Sequence, residues 1–208
     1  MSEGTTKETI RLEAFSDAVF AIAITILALE LRLPDGDGDV RLRDELLDLW
    51  PAYVAYLLSF STILIMWLNH HALLLWVRRA EGKLLVANGV LLMLVAAVPF
   101  PTTLVSHHLG DSGGRLALAA FCGLFAAITL AFAWVWATVV RHRRDIAPAL
   151  PDREVRATAW HLSISFAGYL AALGLALVNA LAGLGLALGM ASFWLWAAYR
   201  RHRAALET

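Results

Sequence analysis

The chain is predicted to be an all-α polytopic membrane protein with six transmembrane helices. Three observations carry that expectation. Hydrophobic residues fill 60% of the 208 positions and charged residues only 16%, against about 45–50% and roughly 25% in soluble domains. The apolar residues fall in six blocks, each long enough to cross a bilayer, divided by short charged punctuation. Lys and Arg alternate sides with the blocks. Thirteen (Lys7, Arg11, Arg78, Arg79, Lys83, Arg141, Arg143, Arg144, Arg153, Arg156, Arg200, Arg201, Arg203) fall on one side, and four (Arg32, Arg41, Arg43, Arg115) on the other. The positive-inside rule makes the first side cytoplasmic. Both termini are then predicted to be cytoplasmic and the protein multi-pass in the cell membrane.

Residues 1–10 are polar, and the block after them is too long for the apolar core of a signal peptide. The first span is predicted over 11–33, followed by an acidic, glycine-rich turn, 34–39. In residues 40–50, Leu42, Leu46, Leu49 and Trp50 recur at helical spacing, which predicts a short interfacial helix. Pro51 suits the first turn of the second span, 51–77. The third span covers 83–103, with Pro99 and Pro101 marking its far end. A loop at 106–114, holding His107 and His108, leads to the fourth span, 115–140. The connector 141–156 is charged. The fifth span is 157–180 and, after a tight turn near 179–183, the sixth is 182–199. Gly174, Gly183, Gly185 and Gly189 fit close helix packing. With no repeat and no connector long enough for a soluble unit, residues 1–208 read as a single six-helix domain.

Net charge is zero, so the composition implies no nucleic-acid partner. The one cysteine, Cys122, cannot form an internal disulfide, and no HExxH, CxxC or comparable spacing predicts a metal site. No nucleophile–base pair stands in the spans, so neither an enzyme nor a cofactor is expected.

The first span carries the chemistry. On a wheel of about 100° per residue, Phe15, Ala18, Ile22, Ile26 and Leu29 form one stripe, bordered by Thr25. Ala14, Ala21 and Ala28 form a second, suited to close approach of another helix. Asp17 lies beside the alanines and roughly opposite the large aliphatic residues, so it is expected to be buried among helices of its own subunit or a neighbour. An acid in a membrane helix is costly without partners. Counting inward from the cytoplasmic ends places Trp67, Asn69, His70, His71, Asn88 and His161 at a similar depth. The expectation is a polar network built on Arg11, Ser16 and Asp17 with Trp67, His70 or His71, and Asn88, with Phe15 and Asn69 counted in the same network. Structural glue and a proton or ion path both fit Asp17 on these grounds.

The run RLEAFSDAVF, with Arg11, Phe15, Ser16 and Asp17 in RxxxFSD spacing at the cytoplasmic end of a first span, resembles the signature of the transmembrane protein 175 family. The segment MWLNHHALL in the second span resembles that family's partner segment. The resemblance implies a homotetrameric, potassium-permeable channel whose first helices line the pore, with other monovalent cations as further permeants. Position by position, it puts an aliphatic constriction on Ile22 and further pore-facing sites on Thr25 or Ile26 and on Leu29. It implies a structural role for the FSD network. The alternative expectation is a proton- or cation-coupled secondary transporter in which Asp17 and a His titrate.

Overall fold

The computed structural model describes residues 3–31 and 39–206 and is built from helices. Among the described residues they are α1 (Glu3–Leu27, closed by a 3-10 turn at Ala28–Glu30), α2 (Asp39–Asp48), α3 (Trp50–Leu74), α4 (Gly82–Ala96), α5 (Pro99–His108), α6 (Gly114–Arg141), α7 (Arg143–Ile146), α8 (Asp152–Val178) and α9 (Ala180–Leu206). Five stretches are long and apolar enough to cross a membrane: α3, α4 with α5, α6, α8, and Ala180–Ala198 of α9. The expectation of six spans counts α1 as well. That helix has the length, but its most apolar stretch still holds Arg11, Glu13 and Asp17.

The centre of the bundle is α6. Of its most apolar stretch, 61% is buried, against 17% for α8. It packs on α4, α5, α8 and α9, and fully buried Phe121, Phe125, Leu118 and Ile128 fill the space between them. The Phe121 and Phe125 rings lie 4.6 Å apart, and Phe125 stacks on Tyr169 of α8 at 5.5 Å. The α1 helix lies at the side of the bundle, against α3 and α4.

Several boundaries differ from the sequence expectation. The α1 helix begins eight residues earlier than predicted and ends at Leu27, so Leu29 sits in the 3-10 turn; Arg32, Leu33 and 34–38 lie outside the described residues. The third span does not end at its prolines. It turns at Ala97–Val98 and continues as α5 to His108, so the predicted loop shrinks to a turn before Gly114. A proline has no N–H to lose at the first turn of a new helix. Carbonyls freed by the break are taken locally, by Ala97 N–H on Leu94 and Val98 N–H on Val95. The connector after α6 is partly helical, and the backbone N–H of Arg78 donates to the Ile146 carbonyl at 2.8 Å.

The α8–α9 turn is a single extended residue, Asn179, whose side-chain oxygen accepts from Ala182 N–H at 3.1 Å. Of the four glycines expected at close contacts, only Gly183 makes one: a Cβ there would sit 2.8 Å from the Ala176 backbone. Around Gly174, Gly185 and Gly189 there is open space.

Candidate functional site: the first helix and its polar layer

The side of α1 that faces the protomer is formed by Leu12, Ser16, Phe20, Ala23 and Leu27, all buried. This i, i+4 ridge is neither of the two stripes singled out from the wheel. Ala14, Ala21 and Ala28 are exposed, so among the described residues no helix of the same chain uses their close-approach surface. Ile22 is 57% exposed, Ile26 40% and Leu29 74%, with Thr25 and Phe15 on the same open side. The Thr25 hydroxyl donates to the Ile22 carbonyl at 2.9 Å, which leaves its oxygen lone pairs unused.

The buried ridge is tied down by two sets of polar contacts. In the first, Ser16 Oγ donates to the Leu12 carbonyl at 2.8 Å. Its one hydrogen is thereby used, so it must accept from Asn88 Nδ2 at 3.0 Å. The Asn88 amide is thus oriented with Oδ1 toward His70, whose Nε2 lies 2.7 Å away and carries the proton. This leaves His70 Nδ1 buried and without a partner among the described residues. Phe20 of α1, at 5.4 Å, and Phe132 of α6, at 6.4 Å, pack against the imidazole. In this way α1, α3 and α4 are joined through Ser16, His70 and Asn88, all at most 2% exposed.

The second set is half-buried. Trp67 Nε1–H donates to Asp17 Oδ1 at 2.8 Å. His71 stacks on the Trp67 ring at 5.7 Å and turns Nδ1 toward Glu13 at 3.4 Å, an ion-pair distance without hydrogen-bond alignment. Helix α3 brings these groups together because Trp67, His70 and His71 are spaced at three and four residues and share one face.

Not every residue of the expected network takes part. Arg11 and Phe15 are exposed, and Arg11 has no ion-pair partner among the described residues. Asn69, one residue before His70 and so rotated by about 100°, faces away from α1 and lines a separate cavity. His161 lines that same cavity and meets Trp194 edge-on at 5.0 Å. Three participants escaped sequence reasoning: Glu13, Phe20 and Phe132. Glu13 was legible in principle, since it lies four residues before Asp17 on the same helix. The two phenylalanines gave no signal, because an aromatic residue in an apolar span has many ordinary uses. Among the described residues no cluster of His, Cys, Asp or Glu is suited to hold a metal ion.

Residues 11–99, which contain all of this layer except Phe132, match the model of the family described as endosomal/lysosomal potassium channel TMEM175. A potassium channel of Chamaesiphon minutus is 39% identical over 189 residues, covering 90% of this chain and 93% of that one. The chain belongs to the TMEM175 family. A potassium channel of Streptomyces collinus is 40% identical over 174 residues, covering 83% and 84% of the two chains. The fold superposes with a TM-score of 0.81 on the crystal structure of a lysosomal potassium-selective channel TMEM175 homolog from Chamaesiphon minutus, at 38% identity and over 92% and 98% of the two chains. Within this TMEM175 chain the Ser16 and Asp17 contacts fasten α1 from one side and leave Ile22, Ile26 and Leu29 on the other.

Proposed function

We propose that four copies of this chain form a potassium channel in the cell membrane. In this reading α1 crosses the bilayer, both termini are cytoplasmic, and the α1 helices line a central pore. The observation that carries the reading is the two-sidedness of α1. One side is locked to α3 and α4 by buried hydrogen bonds, and the other presents Ile22, Thr25, Ile26 and Leu29 in the open. A helix with Arg11, Glu13 and Asp17 is costly to leave in lipid. Neighbouring copies shelter it, and the exposed Ala14, Ala21 and Ala28 let them approach closely.

Permeation is passive. Four Ile22 side chains form an apolar constriction that conducts when wetted and closes by dewetting. The Thr25 oxygen, already donating its hydrogen to Ile22, offers lone pairs to a partly dehydrated cation. Sodium and other monovalent cations pass less readily than potassium. Asp17, held by Trp67, positions the helix and does not carry ions, and no catalytic step is assigned to any residue.

The test is a planar-bilayer recording with potassium and sodium on opposite sides. Wild type should give single-channel currents with a potassium-leaning reversal potential. Ile22→Asn should raise conductance and reduce selectivity at unchanged thermal stability. Flux that follows a proton gradient and disappears in a folded Asp17→Asn protein would replace the channel by a coupled carrier.

A further inference from the structure

The eight tryptophans of the chain fall into three groups. Trp50, Trp134, Trp160 and Trp196 are exposed, as expected of residues at the lipid–water boundary. Trp67 holds Asp17. The other three, Trp76 in the turn after α3, Trp136 of α6 and Trp194 of α9, come from three separate parts of the chain and line one cavity of about 140 Å³ inside the protomer. Trp136 is only 7% exposed, so a position at the lipid boundary does not account for it.

This cavity exists because α3 and α8 stand apart, with α6 as the floor between them. Its α8 wall is a stripe of Glu154, Thr158, His161, Ser165 and Tyr169, spaced at three and four residues. Among the described residues Glu154 is the only Asp, Glu, Lys or Arg in the lining. Among the described residues its carboxylate has one weak contact, 3.5 Å from the guanidinium of the neighbouring, largely exposed Arg153. Trp76 follows the last turn of α3, Trp136 lies near the C-terminal end of α6 and Glu154 is in the first turn of α8, so these three groups share one end of the bundle. An apolar cavity of about 150 Å³ holds a molecule the size of benzene. This one differs in having aromatic walls and one acid at the edge, the combination that recognises quaternary ammonium groups by cation–π attraction.

We propose that the cavity between α3, α6, α8 and α9 is a binding site for a small organic cation, with Trp76, Trp136 and Trp194 as the aromatic wall and Glu154 as the counter-charge. The site lies within one protomer. It shares no residue with the exposed face of α1, so its occupancy is separable from ion conduction.

The purified full-length protein in lipid nanodiscs, in high potassium chloride, is titrated with choline and with its neutral isostere 3,3-dimethylbutanol, following tryptophan fluorescence. Choline should bind saturably and the isostere at least about fivefold more weakly. Glu154→Gln and Trp194→Leu should each weaken choline by about fivefold or more. Should Trp194→Leu fail to fold, Glu154→Gln alone decides, since a partly exposed carboxamide keeps the shape of the wall. Equal affinity for choline and its isostere, choline binding unchanged by Glu154→Gln, or no saturable signal would each overturn the proposal. The last result would leave a cavity occupied by water.

Discussion

Helices α1 and α6 are of similar length and do opposite work. α6 is buried on most of its circumference and is held by apolar packing, with Phe121, Phe125, Leu118 and Ile128 completely enclosed. Its polar side chains turn inward on their own helix: Thr129 donates to the Phe125 carbonyl and Thr138 to that of Trp134. α1 buries one narrow ridge and is fixed by hydrogen bonds that cross to other helices, from Asn88 to Ser16 and from Trp67 to Asp17. Apolar packing is non-directional, and in lipid it gives little preference for one rotation of a helix over another. Directional polar contacts define rotation. A helix whose exposed face matters is therefore held by such bonds, whereas a helix that only fills space is held by volume.

The contrast can be broken first at α6. Phe125→Ala removes a fully buried ring that contacts two others. It should cost about 3–5 kcal/mol and show as lost expression or a large fall in thermal-melting temperature. At α1 the corresponding change is Asn88→Ala, which leaves Ser16 and the His70 Nε2–H without their partner. A loss of about 1–3 kcal/mol is expected for leaving such buried groups unpaired. The sharper signature is a more mobile α1, seen as faster labelling of a cysteine placed at Ile22. Unchanged labelling in a destabilised Asn88→Ala protein would mean that packing alone sets the rotation of α1.

The smallest effect is expected in the exposed turn that leads into α6. Asp111 accepts from His108 Nδ1 at 2.9 Å and from Gly113 N–H at 2.6 Å. The His108 hydrogen bond first, and then the Gly113 amide, hold its carboxyl below the usual carboxylate range. A depressed acid stabilises the folded turn above its unfolded pKa and loses that effect as pH falls through the folded one. Asp111→Asn should therefore lower the melting temperature slightly near neutral pH. The difference from wild type should vanish in strong acid.

Legibility in the sequence followed the same division. Composition and block spacing carried the all-helical membrane class, because a span must be long and apolar whatever it packs against. Ser16, Asp17, Trp67, His70 and Asn88 were legible as a group because polar side chains are rare in such spans and must find one another. The rotation of α1 was not. The wheel separated two stripes, yet the ridge that faces the protomer is a third, through Leu12, Ser16 and Phe20. Asn69 was counted with the network because depth along a helix can be read by counting, whereas facing requires the neighbour. Likewise the prolines at 99 and 101 signalled a break without revealing that the helix resumes beyond it.

What the sequence determined by itself is where the apolar spans lie, and that the first of them carries both an acid and an aliphatic stripe. Tertiary structure alone decided which face each helix turns inward. It set Asn88 between Ser16 and His70, and it left α3 and α8 apart so that a cavity with three tryptophans in its lining opens between them. The physical reason is range. Helicity and hydropathy are settled by residues within a few positions of one another. Rotation and cavities are settled by volumes and hydrogen bonds between residues as distant as Ser16 and Asn88, seventy-two positions apart.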